Sequence, residues 1–159
     1  MIRLRITHGR TELPVPLSRD EVALVVLSLA EGRPFTPVQI QKALFLASDK
    51  VSEAFDHDSR YNFQPYDYGP FDWQVYADVE ALEREGLAEI RQQGSQWRIY
   101  SATRSGVAEG QRLARQLTRT QRQVLERIVN LVRSLSFNDL VSAIYRAYPQ
   151  MRARSVFRD

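Results

Sequence analysis

The side chains that could do chemistry fall into two large groups, arginines in the second half of the chain and aromatic rings in its middle. Of the 22 basic residues only Lys42 and Lys50 are lysine; the rest are arginine. Residues 91–159 hold thirteen arginines against four acids and sum to +9, whereas residues 61–90 hold seven acids against Arg84 alone and sum to −6. A guanidinium offers a planar fork of donors that fits phosphate oxygens. A basic half beside an acidic middle therefore points to a polyanionic partner, or to a second copy of the chain that pairs opposite patches in a homodimer built from the C-terminal helices. Arg91, Gln92, Gln96 and Arg98 decorate a predicted hairpin, and Arg104 follows it. Arg112, Arg115, Arg119 and Arg122 recur at steps of three and four. At about 100° per residue they form one stripe opposite Leu113, Leu117, Val124 and Ile128, and a bend near Thr118 would split it into two pairs. On this reading the seven arginines hold the backbone of DNA, while Trp73, Gln74, Gln92 and Gln96 supply base contacts.

The second group is Tyr61, Phe63, Tyr66, Tyr68, Phe71, Trp73 and Tyr76, seven of the sixteen aromatics in the chain. Pro65 and Pro70 stiffen the segment, and Gly69 before Pro70 is a turn signal. Such rings either fill a gap between helices or present a recognition surface, because Tyr and Trp give large contact area at low entropic cost. The two uses are compatible if different rings face in and out. The alternative to DNA is accordingly a protein partner such as a toxin, held by Tyr66, Tyr68, Phe71, Trp73 and Tyr76 next to an acidic third helix. That helix carries Asp72, Asp78, Glu80, Glu83 and Glu85 against Arg84, a composition that a phosphate-lined groove repels.

Catalytic patterns are missing from the sequence. It holds no glycine-rich phosphate loop, no H-E-x-x-H and no G-x-S-x-G. Without cysteine it has neither thiol nucleophiles nor thiolate metal sites, and only His8 and His57 could act as imidazole bases. Asp56-His57-Asp58 are adjacent and cannot converge on one ion without a special turn, so they read as a solvated loop. The expectation is a binding protein without cofactor or metal. It is expected in the cytoplasm, since no apolar run nears the length of a membrane span and Met1-Ile-Arg-Leu-Arg-Ile lacks a signal-peptide core.

The elements that must position these groups are well punctuated. Ile2, Leu4 and Ile6 alternate with arginine as in a half-buried strand that His8-Gly9 could turn, with Leu13 to Leu17 pairing back. Ser18 with Glu21 opens a helix ending near Gly32, and Thr36-Pro37 with Gln39 opens a second running to about Phe55. Asp72 caps a third with Val75, Val79 and Leu82 inward, and Gly86 ends it. Leu87 to Arg91 and Gln96 to Ala102 read as a hairpin around Gln92–Ser95. Two helices then cover about 104–117 and 119–134, and Ser136 with Asp139 caps a last one closed by Pro149. The order predicts a mainly α fold with a small β-hairpin, a winged helix-turn-helix-like core at 18–103. A short N-terminal strand or hairpin at 1–17 precedes it, and a C-terminal helical extension at 104–150 and a loosely held basic tail at 151–159 follow.

Several segments carry a family resemblance. Ile40-Gln-Lys-Ala-Leu-Phe-Leu46, Tyr66-Asp-Tyr-Gly-Pro-Phe71, Val75-Tyr76, Leu82-Glu-Arg-Glu-Gly-Leu87 and Leu140-Val-Ser-Ala-Ile-Tyr145 with Tyr148-Pro149 together resemble the phage-associated, Panacea-type (SocA-like and GepA-like) antitoxin-like proteins and their YwgA-like relatives. The likeness spans roughly 36–150, and its most specific element is the Tyr-Gly-Pro turn. It implies a small winged-helix-like fold with an antitoxin or regulatory role. The N-terminal strand and the Arg-rich helical pair depart from that pattern. The likeness rests on core and turn positions, so no catalytic residue carries over.

Overall fold

A computed structural model describes residues 6–7, 10–11, 16–94 and 97–158. The chain is mainly helical, with three small antiparallel hairpins among the described residues. In order the elements are β1 (Ile6–Thr7), β2 (Arg10–Thr11), α1 (Arg19–Leu29), α2 (Pro37–Lys50), β3 (Gln64–Tyr66), β4 (Gly69–Phe71), α3 (Trp73–Arg84), β5 (Ala88–Gln93), β6 (Trp97–Ala102), α4 (Arg104–Ala114), α5 (Arg119–Ser134) and α6 (Phe137–Ala147). Among the described residues no helix is long and apolar enough to cross a membrane.

The nearly unbroken apolar run Val22–Leu27 predicts a helix enclosed on all sides, and α1 is the centre of the core, buried from Val22 to Ser28. The Ser28 hydroxyl donates to the Val25 carbonyl at 2.7 Å, which removes the penalty of a polar group there. Helix α4 packs on α1 through glycine: a Cβ at Gly110 would lie 2.3 Å from the Ser28 side chain. One at Gly106 would lie 1.8 Å from the Leu87 carbonyl oxygen.

Helix α2 opens as expected, Thr36 Oγ1 accepting from Gln39 N–H at 3.2 Å and Gln39 Oε1 from Thr36 N–H at 2.9 Å. It stops at Lys50 and not near Phe55. Val51 leaves helical geometry at φ −131°, and a 3₁₀ turn at Ser52–Ala54 brings Phe55 beside Leu17. There Leu17 N–H donates to Ala54 O (2.8 Å) and Asp56 N–H to Leu17 O (2.7 Å). Leu17 therefore pairs with the α2 exit. Strand β1 pairs with β2, Ile6 opposite Thr11. The remaining positions of the expected N-terminal strands lie outside the described residues.

The third helix and its hairpin meet at the expected glycine. Gly86 sits at φ 77°, Leu87 N–H reaches back to Leu82 O (2.9 Å), and Thr103 Oγ1 ties Gly86 O at 2.7 Å while accepting from Gly106 N–H at the head of α4. The hairpin pairs Ala88 with Ala102 through Gln93 with Trp97. Its turn falls two residues later than expected, since Gln92 and Gln93 extend the strand. Phe35 adds one bridge to Tyr100 (2.7 and 2.9 Å), joining the α1–α2 loop to β6.

The long amphipathic stretch divides earlier than 117. Helix α4 ends at Ala114, and Thr118 restarts the chain as α5 with a reciprocal cap to Gln121. The tail also differs from expectation. Val156 N–H donates to Asp67 O (2.9 Å), and Phe157, 6% exposed, packs on Val141 and Tyr145. Burying one Phe contributes about 1.5–3 kcal/mol, enough to dock a short basic segment whose arginines stay in solvent.

Candidate partner groove and arginine surface

Helix α2 and the Tyr66–Phe71 segment are joined in space. Gln41 and Lys42, buried on α2, hold the turn that leads from β4 into α3. The Gln41 amide nitrogen donates to Asp72 O and its oxygen accepts from Asp72 N–H, both at 3.0 Å. Lys42 Nζ donates to Pro70 O at 3.2 Å. Gly69 is required by geometry: φ is +100°, and a Cβ would press on the Tyr145 ring at 3.3 Å and on Lys42 Cε at 3.6 Å. The β3–β4 hairpin so fixed, with α2, α3 and the start of α6, encloses a groove of about 600 Å³. Val38 and Lys42 contribute from α2, Tyr66 and Phe71 from the hairpin, Tyr76 from α3 and Phe137 from α6.

The predicted aromatic cluster divides between inside and outside. Tyr61 and Phe63 turn inward, in edge contact with Phe55 and Phe45. The others form a chain of ring contacts: Tyr66 stacks on Phe71 (5.2 Å), Phe71 meets Trp73 and Tyr76 edge-on, and Tyr76 stacks on Tyr100 (5.5 Å). Tyr68 meets Phe137 at 5.1 Å across the groove. Among the described residues seven large apolar side chains are exposed. Four of them, Tyr66, Tyr68, Trp97 and Phe137, line this groove, and a fifth, Trp73 at 69%, stands beside Phe71. Neighbouring rings hold Tyr66, Tyr68, Trp73 and Phe137, so this part of the surface is apolar and preformed.

Lys42 is the unusual group. It is 2% exposed, and among the described residues no carboxylate lies within ion-pair distance of it. Burial pushes its ammonium down to about 7. Tyr145, whose ring edge shares the same side of Gly69, is also buried and its hydroxyl has no partner. Sequence reasoning did not place Lys42 in a site. The available signal was one of only two lysines in an arginine-rich chain, placed between inward-facing Ile40 and Ala43.

Asp78 belongs to the core and not to an acidic face of α3. It is buried, accepts from Arg19 Nε (2.8 Å), Tyr61 Oη (2.7 Å) and the Gln74 amide (2.9 Å), and so ties α1, α3 and the loop after α2 together. Burial, followed by the Asp78 carboxylate, pushes the Tyr61 hydroxyl well up from the usual phenol range, and the same carboxylate raises Arg19. Asp72 is occupied as the α3 cap and accepts from Asn62 N–H at 2.7 Å. Gln74, expected at bases, serves Asp78.

Of the seven arginines, four have partners within the chain. Arg91 pairs with Glu89 (2.8 Å), Arg98 with Glu80 (3.3 Å) and Arg112 with Glu109 through its Nε at 2.8 Å and a second, shorter contact. Arg122 Nη1 donates to Ala114 O (3.2 Å) and Leu117 O (2.9 Å), closing the C-terminal end of α4. The break after Ala114 separates Arg112 and Arg115 from Arg119 and Arg122. Arg104, Arg115 and Arg119 are exposed and form no ion pair among the described residues. The hollow between α3 and the hairpin mixes Glu80 and Glu83 with Arg84, Arg91, Gln92 and Arg98. Gln92 is exposed there, whereas Gln96 lies outside the described residues. No family model matches this sequence, and no curated protein matches it either.

Proposed function

We propose that the chain is a winged-helix-like, antitoxin-type binding module that holds a protein partner in the aromatic groove and carries out no reaction. The winged-helix reading is supported by three helices followed directly by a hairpin, the glycine junction at Gly86, and the extra bridge between Phe35 and Tyr100. The observation that carries the partner reading is the gathering of Tyr66, Tyr68, Trp97 and Phe137, all exposed, around one preformed groove. A ring surface of this kind, desolvated when a partner covers it, is the usual centre of binding energy at protein interfaces.

The test compares baits. A tagged wild-type chain, a Tyr66→Ala/Trp73→Ala bait and an Arg115→Glu/Arg119→Glu bait are each expressed in the native host. A partner lost from the first variant and kept by the second is then purified and its affinity measured with all three. We expect at least a tenfold loss for the ring variant. A partner retained equally by all baits would refute the groove.

Nucleic-acid binding stays as the second reading on one observation, that Arg104, Arg115 and Arg119 are exposed and form no ion pair among the described residues. It requires steep salt dependence. Retardation of a mixed-sequence DNA duplex at low salt that Arg115→Glu/Arg119→Glu abolishes would favour it over the groove.

A further inference from the structure

We propose that the groove receives the C-terminus of the partner polypeptide, with the free carboxylate pairing to Lys42 and the last side chain lying between the Tyr66–Phe71 pair and Phe137. This rests on the reading of the groove as the partner site, and adds which part of the partner enters it.

Three observations lead there. The first is an unmet charge. An ammonium has three donors, and Lys42 spends one on Pro70 O with no acid beside it among the described residues. A buried cation without a counter-ion is costly, and an arriving anion relieves that cost and forms a charge-assisted bond in a low-dielectric site. The second is the charge of the walls. Of the lining residues only Lys42 and Asp67 are ionic, and Asp67 is exposed on the β3–β4 turn, its carbonyl tied by Val156 and Ser155. The remaining lining is aromatic, aliphatic or neutral polar, which suits an apolar side chain. The third is depth. Lys42 is almost inaccessible, while the rings that flank the entrance are 41–48% exposed. A carboxylate in mid-chain would have to carry two chain connections past those rings. A chain terminus carries one, and a volume of about 600 Å³ is of the size that takes a short terminal segment.

The probe is a fluorescein-labelled hexapeptide library randomised at every position and synthesised twice, as C-terminal acids and as C-terminal amides. Passed over the immobilised full chain, the acids should be retained at least tenfold over the amides, with aromatic or branched residues enriched at the last position. Lys42→Met should abolish the difference. Should that variant not fold, a wild-type chain labelled at lysine ¹³Cε gives one signal each for Lys42 and Lys50. The Lys42 signal must move with the selected acid and stay still with its amide. Equal retention of acids and amides, both lost in Tyr66→Ala, would overturn the terminal-carboxylate claim and leave the groove standing. Retention of both forms unchanged in Tyr66→Ala would sink the groove itself. Saturation by 3-phenylpropionate alone, followed through Trp97 fluorescence, at an affinity matching the best peptide would replace the polypeptide terminus with a small acid and overturn the proposal.

Discussion

The groove face and the arginine face carry the two groups of residues that stand out in the composition, and folding treats them in opposite ways. The rings are rigid. Once Tyr61 and Phe63 enter the core, Tyr66 stacks on Phe71, and Phe71, Trp73 and Tyr76 support each other edge to face, leaving their outer surfaces unspent. The arginines are long and flexible, and most find a carboxylate or a carbonyl within reach: Glu89, Glu80 and Glu109 take three, and the end of α4 takes a fourth. A formal charge of +9 over residues 91–159 therefore overstates the field available to a polyanion. Rigid groups keep their binding capacity after folding, and flexible ones are the first to lose it.

The largest effect expected on the groove side comes from Lys42. Its ammonium stands near 7 in the fold against an ordinary 10.5. Between those values the unfolded chain binds one more proton than the folded one, so stability rises with pH across that window, by roughly 1 kcal/mol per pH unit. Lys42→Met should remove that rise, and below pH 7, where the wild type holds the buried charge in full, the variant should gain relative to it. Urea midpoints of both proteins at pH 6, 7, 8 and 9 measure the difference. Parallel curves would mean that Lys42 is solvated and that the groove has no buried cation.

Asp78 comes next, because it supports the platform from which the rings project. Asp78→Asn keeps the shape but gives up the charge shared by Arg19, Tyr61 and Gln74. Bonds to a charged acceptor contribute about 1.5–3 kcal/mol each, so a loss of about 2–3 kcal/mol is expected in chemical denaturation. Gly69→Ala should fall slightly below that, about 1–2 kcal/mol, for a side chain forced into left-handed backbone against Tyr145. It should also weaken partner capture, because the β3–β4 turn forms a wall of the groove. A Gly69→Ala chain with wild-type affinity would show that the turn is not part of the site.

Local signals were legible in the sequence and distant partnerships were not. Caps at Thr36, Asp72, Thr118 and Ser136, and the glycine stop at Gly86, act within three or four residues, and each is where its residue types predict. The helix after Thr36 ended early because of Leu17, more than thirty residues away, and no local pattern announces that pairing. Asp78 was readable and went unread: with Val75, Val79 and Leu82 it occupies the inward face of α3, where an acid requires a partner. The docked tail depended on Asp67 and Tyr145, again remote in sequence. A division between Arg112 and Arg115 at the end of α4 and Arg119 and Arg122 on α5 was legible in the cap at Thr118, whereas the pairing of Arg98 with Glu80 joins a hairpin to a helix and was not.

The smallest predicted effect lies on the arginine side and is the sharpest check on the contrast. The pairs Arg91–Glu89 and Arg98–Glu80 are largely exposed, with arginine side chains 68% and 53% accessible. Such pairs contribute about 0–1 kcal/mol, and part of that is lost to salt screening. Arg91→Ala and Arg98→Ala should each move the midpoint by less than about 0.5 kcal/mol and leave partner capture unchanged, while Trp73→Ala, equally exposed, should spare stability yet reduce capture. If Arg98→Ala reduced capture as much as Trp73→Ala did, in a manner sensitive to salt, the wing would share in binding. The division between a spent basic face and an available aromatic one would then have to be redrawn around the hollow where Glu80, Glu83, Arg91 and Arg98 meet.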